Sequence, residues 1–189
     1  MDLLGIDEVQ LVGIIGIGAC IFQEVAISRP DLAKTMVNTG TWACPDRKFA
    51  DQLNLWLEVH KVMGFEAFQK MVTMDGFNPE FYAQNKEKLI GPHGVWSDLR
   101  DNVATHQRLT DAALSHNTLD RLVSIQAPTL VMHNELDFIT APRLTMPVEQ
   151  NIPGAEGYWM RNAAHVVTGR EARIEFCNVL LNFLEKHSG

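Results

Sequence analysis

The sequence predicts an α/β fold: a mainly parallel sheet flanked by helices and interrupted by a helical insertion. Three observations predict it. Short apolar runs at residues 9–15, 34–39, 129–133 and 157–161 alternate with stretches of helical periodicity. The first run passes through Gly13, Gly16 and Gly18 directly into a helical pattern. A long helical stretch separates the second run from the third. Alternation of this kind gives parallel strands joined by right-handed crossovers, with helices on both faces.

Residues 9–15 are apolar almost without interruption, which suits a strand buried on both faces. The glycines that follow permit a tight turn into a helix over residues 19–27, and residues 34–39 supply the next strand. Pro45 and Asp46 open the insertion, where Phe49, Leu53, Trp56, Leu57 and Val59 recur at helical spacing until Gly64 stops them. Phe65, Phe68, Met71 and Val72 mark a second helix. Asn78-Pro79 and Gly91-Pro92-His93-Gly94 read as turns, and Ser97 reads as the N-cap of a long helix reaching Leu114. Alternation resumes at Ile125 with strands over 129–133 and 157–161, and an amphipathic helix over 172–186 closes the chain. The organisation is therefore 1–44, first part of the core; 45–124, helical cap; and 125–189, second part of the core.

At 189 residues and 46% hydrophobic content the chain can build one sizeable core. Its net charge of −7 and scattered basic residues argue against a nucleic-acid partner. Cys20, Cys44 and Cys177 are odd in number and lack metal-ligand spacing, so they read as reduced thiols, and neither a metal nor a cofactor is expected. The apolar run 11–22 is shorter than the roughly 20 residues of a membrane span, and Asp2 and Asp7 stand where an export leader would be basic. No membrane association and a cytoplasmic location are the expectations.

Several motifs, taken together, carry a family likeness. Val12-Gly13-Ile14-Ile15-Gly16-Ile17-Gly18-Ala19 is a strand, a glycine-rich turn and a helix start, followed by Gln23-Glu24-Val25-Ala26. Ser28-Arg29-Pro30-Asp31 leads into the second strand. Ala127-Pro128-Thr129-Leu130-Val131-Met132-His133 runs on to Asp137, and Asn151-Ile152-Pro153-Gly154-Ala155 runs on to His165. From Asp2 to Lys186 the chain resembles the α/β-hydrolase superfamily, in particular its capped lactonase- and esterase-like members.

That resemblance implies a nucleophile elbow, G-x-S-x-G, at the first motif. Aligned on Gln23-Glu24 the nucleophile position falls on Gly16, and aligned on Val12-Gly13 it falls on Ile15; neither carries a hydroxyl or thiol. It further implies that Asp137 is the triad acid and His165 the triad base, meeting near the turn at residues 15–17. A His beside a carboxylate is held in one tautomer and can serve as a general base. Family members carry several strands and an oxyanion turn ahead of the elbow. The chain is accordingly expected to be the C-terminal portion of the fold, whether as a short natural gene, an N-terminally truncated reading frame or one half of a split hydrolase.

The function implied is that of a hydrolase-like protein descended from an ester or lactone hydrolase, with its catalysis put in doubt by the missing serine. If active, it would be a hydrolase or a His/Asp general-base enzyme; the alternative is a non-catalytic member that binds a ligand or protein. Met63, Phe68, Met71, Met74, Phe77 and Phe81 could line a pocket for a small hydrophobic acyl or lactone ligand, or could simply be core. His93, His106 and His116 read as surface or packing residues. Cys20 reads as packing, and Cys44, although better placed, has no His beside it in sequence. The strand Val9 to Ile15 would form a sheet edge, expected to pair with a second copy in a homodimer, with a separate N-terminal partner chain, or beneath residues 1–6.

Overall fold

A computed structural model describes residues 5–188, so residues 1–4, including most of the segment considered as a cover for the first strand, lie outside it. The described chain forms one four-stranded sheet of order β1-β2-β3-β4, built from β1 (Val9–Ile14), β2 (Ala33–Thr39), β3 (Thr129–Asn134) and β4 (Glu156–Met160). Every pairing is parallel, as crossovers through helices require. β2 and β3 are central and buried along almost their whole length, whereas β1 has β2 as its single neighbour among the described residues.

Helix α1 (Ile17–Ser28) connects β1 to β2, α6 (Pro142–Asn151) connects β3 to β4, and α7 (Arg170–Lys186) follows β4. One apolar cluster joins Leu11, Met36 and Val131 to Ala26 and Val148. Another joins Val37, Leu130, Met132 and Met160 to Phe176 and Phe183 of α7. Alternating side chains of the strands thus bury against helices on opposite faces, which is the reason the strands read as continuous apolar runs.

Between β2 and β3 lie α2 (Arg47–Met63), α3 (Phe65–Gly76), α4 (Pro79–Leu89) and α5 (Val103–Ser115). Local chemistry sets their starts. The Asp46 side chain accepts from the Phe49 amide at 2.7 Å, and Asn78 caps α4 ahead of a first-turn proline. Gly64, at φ 85, divides α2 from α3. The long helix starting at Ser97 is corrected: residues 97–99 form a short 3-10 turn, and Asn102 caps α5 by accepting from the Thr105 amide. Trp96, in the left-handed region at φ 65, precedes that turn, and Ser97 lies within it instead of capping a helix.

Candidate functional site

The turn after β1 holds two consecutive residues with positive φ, Ile15 at 69° and Gly16 at 65°. Such a conformation costs a β-branched residue about 1–2 kcal/mol and persists only where the surroundings enforce it. Here Ile15 and Gly16 donate from their amides to the carbonyls of Thr39 and Gly40 at 3.1 and 2.8 Å, holding the turn against the end of β2. Gly13 is required on the other side, because a Cβ there would fall 2.5 Å from Ala19 Cα. Helix α1 starts at Ile17, so the amides of Ile17 and Gly18 have no acceptor within the helix.

Asp137 and His165 come from the loops after β3 and β4 and are both buried. His165 Nδ1 lies 2.9 Å from Asp137 Oδ2. The other carboxylate oxygen, Oδ1, accepts from the amides of Ile139 and Thr140 at 2.8 Å each, and the Thr140 hydroxyl donates to Oδ2 at 2.7 Å. Burial pushes the Asp137 carboxyl up, but the His165 and Thr140 hydrogen bonds outweigh it and hold the group below its ordinary range. An ionised Asp137 accepts from His165 Nδ1–H, which leaves Nε2 as the unprotonated nitrogen of a neutral ring.

His165 packs edge-on to Gly40, and with Ile15, Gly16 and Ile17 it lines a cavity of about 320 Å³. The opposite wall comes from the helical insertion, through Leu53 and Trp56 of α2, Phe68 and Val72 of α3, and His106 and Leu109 of α5. No Asp, Glu, Lys or Arg side chain lines it among the described residues. The turn therefore meets the cavity with backbone, Gly16 and aliphatic carbon, and the cavity's hydroxyls belong to Thr110 and Thr140.

Of the aromatic and methionine residues considered as pocket lining, Phe68 alone reaches this cavity. Met63 and Met74 are exposed, at 69% and 55%, while Phe77 stacks on Phe81 elsewhere. Cys20 is buried in packing, and desolvation pushes its thiol up to about 12. Cys44 is exposed and near no imidazole in the hydrogen-bond pattern. His106, read as surface or packing, instead lies in the cavity wall, paired with His60. Sequence reading also missed Gln23. Its buried amide donates to Thr41 Oγ1 and Trp42 O and accepts from Thr118 Oγ1, tying α1 to both ends of the helical insertion. The Gln-Glu pair was visible as a motif, but its cross-chain partners were not.

Comparison with solved structures places this arrangement. Over 97% of its length the chain superposes on 67% of MGS-M2, an α/β-hydrolase enzyme from a Medee basin deep-sea metagenome library, with a TM-score of 0.81 and 25% identity. The chain has the α/β-hydrolase fold. It likewise superposes on an enol-lactonase from Burkholderia xenovorans, with a TM-score of 0.77 and 17% identity, covering 98% of this chain and 68% of that one. In sequence it is 25% identical over 174 residues to a protein of Rhizobium rhizogenes named as the carbamate hydrolase RutD, and 21% identical to a protein of the same name from Stutzerimonas stutzeri. The first match covers 91% of this chain and the second all of it. The chain spans 65% of the length of the Rhizobium relative and 71% of the Stutzerimonas one. No family model matches it.

Proposed function

We propose that this α/β-hydrolase-like chain binds a small, neutral, hydrophobic acyl or lactone ligand in the cavity between the sheet and the helical insertion, which acts as a cap. His165 and Asp137 serve there as a general base and its orienting group acting on water, without a covalent acyl-enzyme. The observation that carries this reading is the 2.9 Å His165–Asp137 hydrogen bond at the wall of a cavity whose strand-to-helix turn offers no hydroxyl or thiol. We assign the degenerate nucleophile position to Gly16, which immediately precedes α1, at φ 65 and ψ −134.

In this mechanism His165 Nε2 takes a proton from water as the water oxygen bonds to the ligand's carbonyl carbon. Charge developing on the carbonyl oxygen would find the amides of Ile17 and Gly18 at the positive end of α1. Collapse breaks the carbonyl–leaving-group bond, and the proton passes from Nε2 to the departing oxygen. Without covalent catalysis, turnover of ordinary esters is slow. The carbamate hydrolase name of the sequence relatives adds carbamates to the ester and lactone substrates worth testing.

The deciding experiment combines a fluorophosphonate probe with p-nitrophenyl butyrate, a γ-lactone and a carbamate. Wild type should resist labelling and hydrolyse at least one of these slowly, with the rate lost in His165→Ala while ligand binding survives. Strong labelling overturns the assignment. Binding with no His165-dependent turnover leaves the second reading, a non-catalytic binding protein, which the bare Gly16 favours.

Among the described residues β1 is an edge of the sheet, and it carries no Lys or Pro to discourage pairing. We propose that a second copy covers it, with the two β1 strands antiparallel about a two-fold axis, in preference to a separate partner chain.

A further inference from the structure

The cavity has a second imidazole, far from Asp137 in sequence and set by different partners. His106 is 6% exposed, and its Nδ1 lies 3.0 Å from Nδ1 of His60, itself 3% exposed. His60 Nε2 lies 3.4 Å from the carbonyl oxygen of Arg100. A carbonyl only accepts, so His60 carries its proton on Nε2, and in its neutral form presents a bare Nδ1. His106 must then donate from Nδ1–H. Its Nε2 is left unprotonated.

That Nε2 has no hydrogen-bond partner among the described residues, yet it is not one of the buried orphaned atoms, and His106 lines the cavity. In an imidazole the two nitrogens point to opposite sides, so an Nδ1 tied to His60 behind the wall directs Nε2 away from it. Phe68 packs on both rings, stacked on His60 at 5.3 Å and tilted by 47° against His106 at 4.5 Å between centroids. Thr110, one helical turn after His106, lines the same cavity.

We infer that His106 is a specificity-determining hydrogen-bond acceptor for the bound ligand, oriented by His60, and that the ligand carries an N–H or O–H donor on its otherwise apolar body. This rests on the reading of the cavity as the ligand site and sharpens the class of ligand it takes: an amide- or hydroxyl-bearing acyl compound. A plain hydrocarbon chain would leave Nε2 dehydrated and unpaired, a penalty that a donor on the ligand removes. Burial is the main reason His106 stays neutral, lowering its pKa to about 4, with the neighbouring His60 and Lys61 side chains adding to it. Arg100, the other cation beside the pair, is engaged over the Phe65 ring, 4.9 Å from its centroid.

The test uses N-methylhexanamide and methyl hexanoate, which differ by N–H against O, with binding followed by the fluorescence of Trp42, Trp56 and Trp96 in the cavity wall. The amide-to-ester affinity ratio should fall about tenfold in His106→Phe and in His60→Leu, and survive in His60→Gln, whose carbonyl can still accept from His106. Comparing ratios cancels the different hydration of the two probes. A ratio unchanged in His106→Phe overturns the inference while binding of the ester sustains the cavity reading; failure of both probes to bind overturns both. Independently of any variant, long-range proton–nitrogen NMR of the wild-type rings should find His106 protonated at Nδ1 and bare at Nε2. The opposite tautomer overturns the inference outright.

Discussion

Gly40 lies against the imidazole of His165: a Cβ built on it would sit 3.2 Å from Cε1 and 3.4 Å from Nδ1. The same Cβ would be 3.4 Å from Ile15 Cα, so Gly40 sets the spacing between the histidine and the turn after β1. With φ at +57 it is also a position that a side chain adopts at a cost.

Gly40→Ala should therefore lower stability by about 1–2 kcal/mol, from backbone strain plus a tight contact. Urea unfolding measures the loss. The histidine must also tilt, so the Nδ1–H signal that reports its hydrogen bond to Asp137 should shift; an unchanged signal would argue that the ring does not depend on this glycine.

Gly13→Ala should be more damaging. The added Cβ would meet the backbone of Ala19 at 2.5 Å, and neither β1 nor α1 can yield without disturbing the turn between them. A loss of about 3 kcal/mol is expected, at the upper end of overpacking effects. Gly18→Ala, with nothing within 4 Å of the new Cβ, is the control and should be close to neutral.

Asp137 makes stability fall at low pH. Its carboxyl is held below its ordinary value of 3.8 in the folded state, so the unfolded chain binds the proton first as pH drops. The stabilisation is complete above about pH 5, declines as pH falls through the ordinary carboxylate range, and is gone below the folded pKa. Asp137→Asn should flatten this acid limb in urea titrations from pH 6 to 3, and cut any His165-dependent hydrolysis at neutral pH. An unaltered limb would mean that other carboxylates govern it.

His106 acts in a higher window. Its folded pKa of about 4 lies below the ordinary 6.5, so between these values the unfolded chain binds more protons than the folded one. Stability should decline as pH falls from about 6.5 to 4, and His106→Phe should remove that part of the slope.

Pairing through β1 predicts a particle of twice 21.2 kDa in light scattering at micromolar concentration, with β1 amides protected from hydrogen exchange. A monomeric mass with those amides still protected would show that the edge is covered within the chain.

Sequence alone determined the elements whose cause is local or periodic. Short apolar runs marked all four strands to within a residue, most plainly β3, every residue of which is buried so that its composition is narrowly limited. Asp46 and Gly64 marked helix boundaries because caps and positive φ are chemistry of a few adjacent residues, whereas Asn78-Pro79 reads as a turn and in fact starts α4. The motif register likewise singled out Asp137 and His165. What only tertiary structure decided was which distant side chains share a space. Ser97 reads as the cap of a long helix, yet it lies inside a short 3-10 turn and Asn102 caps α5. The Met and Phe residues of the insertion looked like one apolar lining, yet Met63 and Met74 face outward and Leu53, Trp56 and Val72 line the cavity with Phe68. His60 and His106 are 46 positions apart and meet because α2 packs against α5. Such a pairing follows from helix crossing rather than from spacing along the chain, so no local pattern announces it.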